Sequence, residues 1–402
     1  MSTSRIAQRI QQIKPSPSGA AADRALELKR QGSPVISLVV GEPDFDTPEH
    51  IRKAAWEAME AGDTRYTHNM GTPALRQAIS RKLKNENGVS YELNEIIVTH
   101  GAKAAVYLAL GATLNKDDEV IIPAPYWVSY PDMVKLCEGK PVIVPCPESD
   151  GFKLTPDALE KAITDKTRWL VINSPSNPTG ACYSAEDYRR LAEVLERHPH
   201  VMVMTDEIYE HIRYQSLENP NIVAVAPQLR ERTVIINGVS KSYAMTGWRV
   251  GFVAGPTDVI KAIAAMKSQT AGAGCSISQA AAVAAYEGDQ SVLEHNREIY
   301  SQRRENAVRL INAIDGLSCL APDGAFYLYI NCQGIIGKLT PQGKILETDN
   351  DVVLYLLDQA HVALVPGAAY GLSPYFRASI ATSMQNIETG FSRIANALSA
   401  LK

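Results

Sequence analysis

Short, unbroken apolar runs alternate along the middle of the chain with stretches in which apolar residues recur every three or four positions. The runs at 95–99, 120–122, 141–145, 168–172, 201–205, 233–236 and 249–254 predict seven strands. Several are β-branched with no polar alternation, the pattern of strands covered on both faces. Between them, 102–114, 156–163 and 185–196 have helical spacing. That order predicts an α/β domain around a mostly parallel sheet. After about residue 290 the texture changes: helices are expected at 291–314, 351–359 and near 385–401, with strands at 325–330 and 376–380. These predict a smaller α+β domain, completed by the first 45 residues. The expected division is therefore a large domain at 46–290 and a discontinuous small domain made of 1–45 and 291–402.

Composition narrows the possibilities without choosing among them. A chain of 402 residues suggests two or three domains. Its net charge of −4 favours neither nucleic acid nor an anionic membrane. The longest apolar stretches, such as 280–286, are too short to span a bilayer. Arg5, Arg9 and Lys14 precede the first acidic residue, Asp23, but no apolar secretory core follows. The six cysteines are scattered, which points to a reduced, cytoplasmic setting. Several chemistries are absent. Gly334-Ile-Ile-Gly-Lys338 has the wrong spacing for a phosphate loop, and Leu339 stands where Ser or Thr is needed. There is no HExxH, no histidine pattern for a metal, and no GxSxG elbow.

Four places hold polar residues just past the ends of predicted strands, where ligands bind in open parallel sheets. Asn173-Ser-Pro-Ser-Asn177-Pro-Thr-Gly180 follows one strand, and by itself is equally well a turn. Asp206 follows another, with Tyr209 three residues on; a buried carboxylate needs a partner, although Asp206 also suits a helix N-cap. Lys241 and Arg249 bracket a segment rich in small residues; an amine at an apolar strand end can serve as a nucleophile, although a lysine by itself is more often a solvated surface residue. Lastly, Thr99-His-Gly101-Ala102-Lys103 leads into an alanine-rich helix whose N-terminus suits an anion. Together they suit one ligand, carrying a phosphate, a ring nitrogen and an aldehyde. Pyridoxal 5′-phosphate (PLP) has that chemistry.

The same residues resemble fold-type I PLP-dependent aminotransferases of class I, along essentially the whole chain. The resemblance rests on Asn177-Pro-Thr-Gly180, Asp206-x-x-Tyr209, Ser240-Lys241, Gly247-Trp-Arg249 and Arg377, in that order. Gly41-Glu-Pro-Asp-Phe-Asp-Thr-Pro48, Pro125-Tyr-Trp-Val-Ser-Tyr-Pro131 and Asp206-Glu-Ile-Tyr-Glu-His211 make it similar to the bacterial aspartate (aspartate/prephenate) subgroup. It implies that Lys241 forms the Schiff base and carries the proton, and that Asp206 holds the ring nitrogen protonated. Asn177 and Tyr209 would bond the ring hydroxyl, and Trp127 would stack on the ring. Ser240, Arg249, Gly101 and Ala102 would hold the phosphate. Arg377, Asn177 and Gly41 would take the substrate α-carboxylate. Tyr66 would reach the phosphate of a second subunit, which implies a homodimer with shared sites.

Amino acids and 2-oxo acids are the implied substrates, exchanged by a ping-pong mechanism. Lys103 and Ser18 match positions that meet a side-chain carboxylate, and Lys14 one associated with prephenate. Several neighbours depart from the family pattern: Ala102, Ala104, Ser18, Gly19 and Val40. They put the aspartate preference in doubt and leave other dicarboxylic, aromatic or prephenate-derived substrates open. The segment Ala271-Gly-Ala-Gly-Cys275 is a further candidate for the pocket wall. A lyase of the same fold and a non-catalytic sensor are the alternative readings.

Overall fold

The computed structural model describes residues 5–13, 17–214 and 220–402. Its main sheet has seven strands: β2 (Ile96–Thr99), β3 (Glu119–Ala124), β4 (Lys140–Pro145), β5 (Thr167–Asn173), β6 (Met202–Asp206), β7 (Thr233–Gly238) and β8 (Gly251–Ala254), with β1 (Ile36–Ser37) lying outside it. The order is β2-β8-β7-β6-β5-β3-β4. All neighbours run parallel except β8, which is antiparallel to both β2 and β7.

The continuous apolar runs follow from burial on both faces. In β6, Val203 packs into one layer while Met202 and Met204 pack into the other, and β5 and β7 divide their residues in the same way. The helices Pro73–Asn87 and Ala185–Arg197 cover the first face, and Ala102–Thr113 and Thr257–Thr270 the second. A separate three-stranded sheet joins β9 (Tyr327–Asn331), β11 (Val365–Pro366) and β12 (Tyr375–Ser379), with β12 central. It packs against the helices Ser291–Asn312, Asp349–Ala360 and Met384–Ser399. The beginning of the chain reaches this part through β1, which pairs in parallel with β10 (Val362–Ala363). No helix among the described residues is long and apolar enough to cross a membrane.

One local expectation is corrected. Asp206 caps no helix: it is the last residue of β6, and residues 208–211 after it form a turn. Burial of the strand end, with side-chain partners for the carboxylate, favours a reversal of the chain at that point.

Candidate active site

The C-terminal ends of β5, β6 and β7 lie side by side, because these strands are parallel and in register, with Asn173 opposite Asp206. The turn after β6 carries Tyr209, and the loop after β7 carries Ser240 and Lys241. Arg249 reaches the same edge because it precedes β8, whose direction is reversed. A cavity of about 500 Å³ opens there, lined among others by Trp127, Asn177, Asp206, Tyr209, Lys241 and Arg377.

Asp206 is fully enclosed and has two donors: the Tyr130 hydroxyl at 2.7 Å and the Ile208 amide at 3.3 Å. Burial raises its carboxyl to about 6, against the pull of Tyr130, Ile208 and Lys241. Burial likewise lowers the Lys241 ammonium to about 8; Glu42 opposes this, while Arg249 and Arg377 add to it. The Lys241 amine donates to the Gly41 carbonyl and lies 5.9 Å from the centre of the Tyr209 ring. An amine brought this close to neutrality is available as a nucleophile and as a base.

The anion side is built from backbone. Gly101 caps the helix Ala102–Thr113 with φ at 83°, a conformation that favours glycine, and a Cβ there would lie 2.5 Å from Arg249 Nη2. A Cβ on Gly251 would approach the Ala102 amide nitrogen to 2.5 Å, so β8 and the helix start approach too closely for a side chain. Arg249 is itself left-handed, at φ 56°, and donates to Thr246 and His100 carbonyls at 2.7 and 3.3 Å. Across the cavity Arg377, in β12, donates to Asn177 Oδ1 at 3.0 Å and to the Val39 carbonyl at 2.6 Å; its Nε has no partner. Lys103 lies 5.1 Å from the centre of the Trp127 ring.

The sequence matches the family described as aminotransferase class I and II over residues 33–394. The chain belongs to that family. It is 52% identical to an aspartate aminotransferase of Rhizobium meliloti (strain 1021), covering 98% of this chain and 96% of the relative. A probable aspartate/prephenate aminotransferase of Rickettsia bellii is 49% identical, over 98% of this chain and 99% of the other. A crystal structure of the Rhizobium meliloti aspartate aminotransferase superposes with a TM-score of 0.97 at 51% identity, covering all of both chains. The protein is thus an aminotransferase with the fold-type I α/β architecture, and its substrates are amino and 2-oxo acids.

Members of this family use PLP. The residues present suit that group: a half-buried lysine amine, an enclosed carboxylate, a glycine cradle at a helix N-terminus and a guanidinium beside it. Two participants had no signal of their own in the chain: Tyr130, which holds Asp206, and Tyr327, whose hydroxyl lies 2.8 Å from that of Tyr209. Tyr130 lies within Pro125-Tyr-Trp-Val-Ser-Tyr-Pro131 with nothing in the spacing to give it a role, and Tyr327 is part of an apolar strand.

Not every candidate converges. Tyr66 is fully exposed and lies outside this chain's cavity. Ser18 is the second residue of the helix Pro17–Arg30, and its neighbour Gly19 lines the cavity, but the Ser18 side chain, like all of Lys14, lies outside the described residues. Residues 271–275 form no part of the cavity wall; Gly274 instead accepts from Thr67 at 3.3 Å and from Gln279 at 3.1 Å.

Proposed function

We propose that this aminotransferase uses PLP attached to Lys241 and moves the amino group of L-aspartate, or a similar dicarboxylic amino acid, to a 2-oxo acid. The observation that carries this reading is the convergence of Lys241, Asp206, Tyr209 and Arg377 on one cavity. PLP, when bound, supplies an electrophilic carbon and a ring that accepts the electron pair released at the substrate Cα.

The rest is the work of the chain. Asp206 would hold the ring nitrogen protonated, with Tyr130 holding the carboxylate in place. Tyr209 and Asn177 would donate to the ring oxygen, and Trp127 would stack on the ring. Ser240, Arg249 and the amides of Gly101 and Ala102 would hold the phosphate at the helix N-terminus. Arg377 would bind the substrate α-carboxylate as a fork, with Asn177 and Gly41 beside it. The Lys241 amine, once free, would take the proton from the substrate Cα and act as its carrier. The two half-reactions share one site, which gives ping-pong kinetics.

Lys103, at the mouth beside Trp127, supplies the cation for a side-chain carboxylate, with Ser18 close by in sequence to the Gly19 wall. The relatives' names support aspartate as donor, and the second relative's name adds prephenate to the candidate partners. The site belongs to a homodimer: Tyr66 extends to the phosphate of a second copy, and Trp56 and Met59 are exposed on the preceding helix Glu49–Glu60. Scattered free cysteines fit a cytoplasmic protein. Borohydride reduction of the PLP-loaded protein followed by peptide mapping tests the assignment: the label belongs on Lys241, and a label on any other lysine overturns it.

A further inference from the structure

We propose that Tyr327 is a positioning residue of this site with two separable halves: its hydroxyl sets the direction of the Tyr209 hydrogen bond, and its ring seats the Arg377 guanidinium. The inference rests on the reading of Lys241, Tyr209 and Arg377 given above.

Tyr327 is completely buried in β9, opposite Ser379 and one step along the ladder from the Leu328–Ala378 pair. Among the described residues its hydroxyl has one hydrogen-bond partner, Tyr209 Oη at 2.8 Å, and that atom has no other. Either hydroxyl can be the donor. Once Tyr209 donates to the cofactor's ring oxygen, it has no proton left for Tyr327, so Tyr327 must donate to Tyr209. A hydroxyl that accepts a hydrogen bond is a stronger donor in turn. Tyr327 thereby strengthens the bond that favours an ionised ring oxygen. The groups facing this pair are Arg377 on one side, and Asp206 and the Lys241 amine on the other.

The ring does different work. The Arg377 guanidinium carbon sits 4.3 Å from the centre of the Tyr327 ring, with the Tyr370 ring at 5.3 Å. Contact with an aromatic face steadies a cation without occupying its N–H groups. Arg377 Nη1 and Nη2 each donate once, to Asn177 and Val39, so each keeps a second N–H for a carboxylate. The Tyr327 oxygen also lies only 3.0 Å from the position a Cβ would take on Gly41, which places it against the backbone that receives Lys241. Tyr327 therefore touches Tyr209, Arg377 and the Gly41 backbone together.

The test uses PLP-loaded protein and two absorption measurements that need no turnover: the pH midpoint of the visible band, and the succinate Kd read from that band. Tyr327→Phe keeps the ring and removes the donor. Its midpoint moves to higher pH by about half a unit or more, while the succinate Kd stays within about twofold. Tyr327→Leu removes the ring as well and weakens succinate by about tenfold. An unchanged succinate Kd in Tyr327→Leu overturns the role of the ring, and if that variant does not fold, Tyr327→Met takes its place with the same expected result. An unchanged midpoint in Tyr327→Phe overturns the proposal, and so does a succinate Kd that moves with it. A wild-type protein that forms no visible band with PLP overturns the underlying functional reading as well.

Discussion

Asp206 and Glu207 are consecutive carboxyls buried by the same reversal of the chain, yet only Asp206 faces the cavity. Glu207 points the other way, accepting from Thr205 at 3.0 Å and Asn221 at 2.7 Å, with one oxygen unpartnered. Burial raises it to about 8; the Glu210 carboxylate adds to that and Lys82 opposes it. The folded protein therefore holds a proton that the unfolded chain releases near 4.5. This contribution to stability is full below that value and is lost as pH rises towards 8. Glu207→Gln removes the titration: its Tm should equal wild type near pH 5 and exceed it by several degrees at pH 9. Equal pH dependence in the two proteins would show that Glu207 is ionised when folded. None of this was legible beforehand, since Asp206-Glu207 reads as two equivalent acids until the strand's direction assigns one to the cavity. Lys241 was legible because it follows an apolar strand with a motif around it, whereas Arg377, inside a strand, was legible only through the family resemblance. Tyr327 was not, because a tyrosine in a run of buried residues has no pattern that separates packing from positioning.

At the level of elements, the turn bearing Tyr209 is fastened from behind by buried charge. Lys82, on the helix Pro73–Asn87, pairs with Glu210 and donates to Asn87 at 2.7 Å; Asn237 in β7 donates to Glu210 at 2.5 Å. Burial alone would raise Glu210, but Lys82 and His211 overcome it and hold it at about 2. One cluster thus links a covering helix, the Tyr209 turn and the strand leading to Lys241. Lys82→Met leaves a buried carboxylate uncompensated and should cost about 3–5 kcal/mol in urea unfolding, part of which returns when Glu210→Leu is added. A loss below about 1 kcal/mol would mean that water already reaches Glu210. Position 82 falls on the buried stripe of that helix with Leu75, Ile79 and Leu83. A lysine is the residue type least expected on such a stripe, so the buried pair was not legible in the sequence. The long strands β5, β6 and β7 were readable as apolar runs. The two-residue strands β1, β10 and β11 were not, because so short a pairing has no periodicity and is set by the surrounding fold.

For the whole molecule, one chain gathers most of the proposed site in its own cavity, while Tyr66 is fully exposed and is the proposed contribution of a second copy. If a second copy's Tyr66 meets the phosphate, Tyr66→Phe should weaken PLP by about tenfold, the value of one hydrogen bond to a charged group. Hybrids of Tyr66→Phe with Lys241→Ala should then regain activity at limiting PLP, because one of their two sites has both residues intact. Hybrids no more active than either parent would place Tyr66 in its own chain's site or in none. The central claim is transamination through Lys241, and a single half-reaction tests it most directly. PLP-loaded protein mixed with L-aspartate, with no oxo acid added, should lose its visible band and release one 2-oxo acid per site, with no free ammonia. An unchanged band with every amino acid tried, or ammonia in place of a stoichiometric 2-oxo acid, would contradict it.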